Sequence, residues 1–165
     1  MAALLNVRFH PLRTLAAAGT TARMHFAIRI ATATDIAAMH RLRKSARENR
    51  LSDFTRITEA TYLPYIAAAS AWVAETDAGI SGFAVVDGPA ANVWALFIDP
   101  DCEGAGIGRA LHRKMLEWAR EQGIGCLSLS TEHGSRAARF YSRAGWAQTD
   151  TTADGEVLFE KSLLS

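Results

Sequence analysis

From Phe26 onward, the spacing of hydrophobic residues switches between two periods, and each switch marks an element. FAIRIA (26–31) alternates weakly and reads as a first strand. Ile36, Met39, Leu42 and Ala46 then recur every three or four residues. That is the stripe of an amphipathic helix running to about Glu48, with Thr34 and Asp35 as its cap. NRLSDFTR is polar and reads as a loop, and TEATYLPYIAAAS predicts a second helix, broken or bent near Pro64. Three short apolar runs follow, AWVAET, ISGFAVVD and NVWALFID. The turns DAG and GPAA between them predict an antiparallel meander that stops at Pro100. The helical period returns from Ile107 to about Gln122. Ile107, Leu111, Met115 and Trp118 share one face, Arg109, Arg113, Glu117 and Arg120 face out, and Gly123 is placed to end it. CLSLST (126–131) is a further strand and SRAARFYSRA a short helix stopped by Gly145. WAQT and VLFEKSL are two closing strands around TADGE. The predicted order is β α α β β β α β α β β, with no internal repeat and no low-complexity linker.

Composition narrows the class. A chain of 165 residues suits one domain, and 49% hydrophobic with 21% charged residues reads as an ordinary globular protein. A formal net charge of +1 argues against a partner held by phosphate attraction, so no nucleic acid is expected. No apolar run approaches the roughly 20 residues that span a bilayer, so no membrane partner is expected either. Cys102 and Cys126 form neither a CxxC pair nor a metal spacing, which favours a reducing, cytoplasmic setting and no metal site. Residues 1–24 differ: they carry Arg8, Arg13 and Arg23 and no acid. They read as a loosely held, poorly ordered extension, with a transit peptide as the alternative, ahead of a domain over 25–165.

Chemistry concentrates in CEGAGIGRAL (102–111), where Gly104, Gly106 and Gly108 alternate in a turn that runs into the long helix. A helix start leaves N–H groups unpaired and carries partial positive charge, so it suits an anion if backbone can come close. Glycines allow that approach. A Walker loop would need Lys and Ser/Thr where Arg109 and Ala110 stand. A dinucleotide fingerprint would need G-x-G-x-x-G near the start of a βαβ unit, so neither fits.

ALFIDPDCEGAGIGRALHRKMLEWA is similar to the acyl-CoA signature of the GNAT (general N-acetyltransferase) superfamily, a strand end before Pro and then R/Q-x-x-G-x-G/A opening a long helix. RAARFYSRAGW resembles the family's second signature, A-x-x-F-Y-x-x-x-G-F/W, one helix and one strand later. The resemblance covers about Phe26 to the C-terminus. It implies an α/β GNAT fold: a mixed, mostly antiparallel sheet of six to seven strands, splayed between strands 4 and 5 and flanked by about four helices. It implies acetyl-CoA as co-substrate, with its pyrophosphate on Gly104, Ala105, Gly106, Ile107, Gly108 and Arg109. The pantetheine arm would lie along Leu96, Phe97 and Ile98, and Arg143 would stand near the nucleotide. Two positions depart from the pattern: Glu103 holds the Arg/Gln position, and Gly134 stands where many members have Asn.

Acyl transfer to an amine needs a base for the ammonium proton and help for the leaving thiolate. Tyr141 matches the family tyrosine that faces the sulfur. Glu132, His133 or a water chain could serve as base, His133 having a suitable ordinary pKa. In this fold the first two helices and their loop usually set acceptor selectivity, which places Arg50, Asp53, Tyr62 and Tyr65 as acceptor-binding residues. The reading is an N-acetyltransferase acting on a primary amine of a small molecule, peptide or protein. A non-catalytic acyl-CoA sensor and an O-acyltransferase are the alternatives, and sheet-edge pairing into a homodimer is common in the fold.

Overall fold

The structure is a computed structural model that describes residues 23–47 and 56–164. Its elements run β1 (Phe26–Ile30), α1 (Ile36–Arg47), α2 (Leu63–Ala67), β2 (Ala71–Thr76), β3 (Gly79–Asp87), β4 (Asn92–Ile98), α3 (Ile107–Glu121), β5 (Cys126–Glu132), α4 (Arg136–Arg143), β6 (Ala147–Thr151) and β7 (Glu156–Ser162). That is the expected order, with seven strands and four α-helices among the described residues.

Local chemistry shifts some boundaries. The capping residue ahead of α1 is Thr32 rather than Thr34, and it caps a 3₁₀ turn. That turn, over Ala33–Asp35, precedes the helix, and Asp35 reaches back to accept the Thr32 N–H at 2.8 Å. The Asp35 carboxylate also receives both terminal nitrogens of Arg29, at 2.7 and 2.9 Å. Those hydrogen bonds hold its pKa below the ordinary aspartate value. The second helix is shorter than its apolar pattern. A 3₁₀ turn (Glu59–Tyr62) leads into five α-helical residues with Pro64 in the first turn, where its missing N–H costs nothing. Glu132, expected in a loop, ends β5 instead.

The strands form one sheet in the order β1-β2-β3-β4-β5-β7-β6, antiparallel except for β4 and β5. Parallel neighbours need a crossover, and α3 supplies it. Helices α3 and α4 cover one face; Ile107, Leu111, Met115 and Ala119 pack there on Ala74, Ala84, Val86, Leu96, Leu127 and Leu129. On the other face, Met39 of α1 and Tyr62 pack on Val73, Phe83, Val85, Ala95 and Phe97, with the Phe83 and Phe97 rings stacked at 5.3 Å. Burying apolar area of this kind, at about 25 cal/mol per Å², is the main force holding the three layers together.

Two irregularities in the sheet matter for function. Between Val85 and Val86 of β3, the partner on β4 jumps from Ala95 to Val93, so Trp94 is an extra, bulged residue. The bulge places Trp94 and Ala95 on the same face, while Val93, Leu96 and Ile98 face α3. The second is the join between β4 and β5. It has a single registered pair, Asn92 with Ser128, supported by Ser128 N–H to Ala91 O at 3.0 Å and Asn92 Nδ2 to Ser128 O at 3.1 Å. Beyond it, β4 follows β3 to Ile98 and β5 follows β7 to Glu132, so the two strands part.

Candidate active site

The parting strands leave hydrogen-bonding groups without ladder partners. Asp99 N–H bonds Ser81 O at 2.8 Å, which fixes the alternation at the end of β4. Phe97 therefore turns its peptide groups to β3, and Leu96 and Ile98 present theirs to the gap. On β5, Ser128 faces β4, so Ser130 also presents its N–H and C=O to the gap.

At the wide end of the gap lies the start of α3. Asp99 caps a 3₁₀ turn (Pro100–Cys102) through Asp101 N–H at 2.9 Å, and the chain then passes through Gly104 at φ 78° and Gly106 at φ 90°. Both angles are left-handed, which L side chains avoid. A Cβ built at either glycine would meet nothing within 4 Å, so it would project into open space at the helix mouth. Gly106 is the N-cap, and the following N–H groups of Ile107, Gly108 and Arg109 point out of the helix end. Gly82 on β3 eases this seating. A Cβ there would sit 3.0 Å from both Ile107 Cγ2 and Ile98 Cδ1, so those side chains would have to give by a few tenths of an ångström. The sequence reading did not single out Gly82, because close approach of a strand and a helix mouth is a tertiary fact.

These pieces line one groove of about 750 Å³. Leu96, Ile98, Gly104, Ala105, Gly106, Ile107, Gly108 and Arg109, all expected to hold the co-substrate, are in its wall together with Cys102, Glu103, Arg136 and Phe140. Arg23 and Met24, assigned from sequence to the N-terminal extension, also line it. Phe97 does not: its side chain is buried on the opposite face of the sheet, since alternation along β4 turns it away. Arg143 lines a neighbouring groove of about 460 Å³ between α3 and α4, shared with Arg109, Arg136 and Arg139. Glu103, which holds the Arg/Gln position of the signature, turns toward α4. Its Oε2 accepts a hydrogen bond from Arg136 Nη1 of α4, while its Oε1 is buried without a hydrogen-bond partner. The ion pair offsets the negative charge at the helix mouth.

Tyr141 lies one residue from Phe140 in α4 and is 2% exposed. Its ring meets Phe140 and Trp146 edge-on, each at 5.2 Å, and burial pushes its phenol pKa up, so the hydroxyl stays protonated at neutral pH. Beneath it, His112 of α3 accepts a hydrogen bond from Trp146 Nε1 at 2.9 Å, which requires a neutral imidazole. Burial, with smaller contributions from Lys161 and Arg120, lowers the His112 pKa to about 4.

The other sequence candidates scatter. His133 lines a separate pocket of about 250 Å³ with Arg139, Gln148 and Phe159, on the β6–β7 side of α4. Glu132 is exposed and lies opposite Glu156 of β7. Tyr62, expected on an acceptor wall, is fully buried, its hydroxyl 3.2 Å from His40 Nδ1, so it packs beneath the surface rather than forming it. Tyr65 is half-buried, lies 4.8 Å from the Trp94 ring, and reaches Asp87 Oδ2 at 3.5 Å. Arg50 and Asp53 lie outside the described residues. Among the described residues there is no cluster of three metal-ligating side chains, and no helix is long and apolar enough to cross a membrane.

Comparison with known proteins agrees with this geometry. The acetyltransferase (GNAT) domain family matches residues 67–148. Mycothiol acetyltransferase of Propionibacterium freudenreichii subsp. shermanii is 38% identical over 64 residues, which cover 38% of this chain and 20% of that protein. The chain thus aligns with about a fifth of the length of that relative. Among solved structures, Ard1 from Thermoplasma volcanium superposes with a TM-score of 0.70 at 21% identity, covering 85% of this chain and 99% of that one. The PaiA N-acetyltransferase of Thermoplasma acidophilum, in complex with coenzyme A, gives 0.71 at 17% identity over 84% and 99%. These two likenesses establish a shared fold.

Proposed function

Because the chain belongs to the GNAT acetyltransferase superfamily, we propose that it transfers an acetyl group from acetyl-CoA directly to a primary amine of a small molecule, peptide or protein. One observation carries the reading: the glycine-lined helix mouth opens into the same groove as the unpaired edge of β4. That groove, about 750 Å³, is of the size that holds cofactor-like ligands, and its Gly104 and Gly106 leave open space where side chains would stand. Bound acetyl-CoA would supply an acyl carbon already activated as a thioester.

The chain's own residues account for the rest. The N–H groups of Gly106, Ile107, Gly108 and Arg109, at the positive end of α3, suit a diphosphate. Arg136 and Arg109 add charge beside it. The peptide groups of Leu96 and Ile98 suit the amides of a pantetheine arm, as an added strand would. Tyr141, buried and protonated, fits the role of a hydrogen-bond donor to the leaving sulfur. With its pKa raised, it stabilises a thiolate by donating a hydrogen bond rather than by surrendering its proton. Direct attack by the acceptor needs no enzyme nucleophile, so Cys102 has no covalent part in this scheme. Purified protein with acetyl-CoA and a broad amine panel, followed by free-thiol release and by mass spectrometry of the products, tests the proposal. Amide formation is the expected result; binding of acetyl-CoA without turnover of any amine would refute it.

A further inference from the structure

We infer that Glu156 of β7, anchored by Ser130 of β5, is the carboxylate that receives the acceptor's ammonium at the apex of the β4–β5 gap. This assignment rests on the transferase reading above. Leu127 and Leu129 of β5 point into the core under α3 and α4, so Ser128 and Ser130 point to the opposite face. Ser130 lies opposite Leu158, and Ser128 opposite Glu160, so Glu156, Leu158 and Glu160 of β7 share that second face. Trp94, the bulged residue of β4, is on the same face, packed with Tyr65.

Position along the strands brings these groups to one place. Trp94 and Ser130 each stand two residues beyond the last registered pair, Asn92 with Ser128, and so flank the point where the gap opens. A cavity of about 360 Å³ opens on the second face beside that point, over β5, β7 and β6; Asn92, Ser128, Ser130, Thr149, Leu158 and Glu160 line it, and Trp94 and Glu156 stand outside its wall. The groove for acetyl-CoA lies on the first face, lined by Leu96 and Ile98. An acceptor entering from the second face would meet the thioester through the gap, without displacing the co-substrate.

Glu156, one strand over from the gap on β7, is tied to the gap-flanking Ser130. Ser130, 3% exposed, donates its hydroxyl to Glu156 Oε2 at 2.7 Å. Thr152 pins the backbone beneath it: Glu156 N–H bonds Thr152 Oγ1 at 3.1 Å, and Thr152 N–H bonds Glu156 O at 2.8 Å. Glu132 opposite and Glu160 further along β7 stand on the same face, and the buried Arg43 guanidinium lies 4.0 Å over the Trp94 ring at its other edge. The Glu156 carboxylate takes one proton from the acceptor's –NH₃⁺, and the freed nitrogen lone pair forms the bond to the acyl carbon. The carbon–sulfur bond breaks with its electron pair on sulfur, and a second nitrogen proton ends on that sulfur. Products are the amide and free CoA thiol, and Glu156 passes its proton to water.

The test measures acetyl-CoA affinity and acetylation rates for wild type and Glu156→Gln, a variant that can still accept the Ser130 hydrogen bond. With an alkylamine acceptor, kcat/KM should fall about 100-fold or more, the usual contribution of a positioned proton acceptor, while acetyl-CoA Kd stays the same. With a weakly basic amine that is already neutral at pH 7, the defect should shrink below about tenfold, because no ammonium needs holding. Equal defects for the two amines, or wild-type rates with both, would overturn the Glu156 assignment and leave the transferase reading standing. Wild-type protein that binds acetyl-CoA and acetylates no amine would overturn both. If Glu156→Gln folds poorly, Ser130→Ala carries the test: it leaves the charge but frees it, and should lower alkylamine kcat/KM about tenfold. An unchanged value in that variant would count against the assignment.

Discussion

Acidification should weaken this fold through one imidazole. His112 is 8% exposed on α3, and its Nε2 accepts the Trp146 indole N–H at 2.9 Å. An imidazolium has no acceptor, so protonation breaks that bond and places a charge in the core beside Phe140 and Tyr141. The folded-state pKa is lowered to about 4, against 6.5 for the free side chain. A depressed pKa means that the unfolded chain takes up the proton first. The stability this group contributes is therefore whole above about 6.5 and lost as pH falls toward about 4, below which the loss levels off. Linkage between those two values gives a loss of about 2 kcal/mol on going from pH 7 to pH 5. For a domain of this size that is an appreciable share of its stability. Urea denaturation followed by tryptophan fluorescence at both pH values would read it. Carboxylates also titrate, so the decisive quantity is the difference from His112→Gln, whose amide oxygen can accept the same hydrogen bond without titrating. The variant should lose about 2 kcal/mol less than wild type over this range. Equal losses in the two proteins would show that His112 is not the titrating group.

Three other changes probe the groove. Gly106→Val places a branched side chain at φ 90° and into the helix mouth, so acetyl-CoA Kd should rise at least tenfold in calorimetry, with about 1–2 kcal/mol of backbone strain in thermal unfolding; unchanged affinity would move the diphosphate elsewhere. If the Tyr141 hydroxyl donates to the leaving sulfur as proposed, Tyr141→Phe should lower kcat by about 10- to 100-fold with little change in acetyl-CoA Kd; an equal kcat would remove Tyr141 from the chemistry. Glu103→Gln removes a negative charge beside the proposed diphosphate site and loosens its claim on Arg136. Acetyl-CoA should bind several-fold more tightly at low salt, with the gain fading at high salt, and no salt dependence would show that the pair is electrostatically silent.

Sequence periodicity settled the secondary structure and its order, because burial of one face imposes a spacing that the chain must carry locally. Ile107, Leu111 and Met115 mark α3 before any partner is known, and the alternating glycines mark its mouth, since only glycine suits the left-handed angles found at Gly104 and Gly106. The paired signatures around Glu103 and Tyr141 also named the family, which the domain match bears out. What the sequence left open depends on which distant residues meet. No local pattern announces that Arg136 will reach Glu103, that Gly82 will lie close against Ile107 at the mouth of α3, or that the bulge at Trp94 puts two neighbours on one face. Glu156 is the plainest case. In the sequence it is one more acid after a turn, and only the antiparallel register of β5 and β7 brings it to Ser130 at the edge of the gap. Propensity and periodicity act over a few residues, whereas a site is a meeting of strands far apart in the chain, and that meeting is fixed by packing alone.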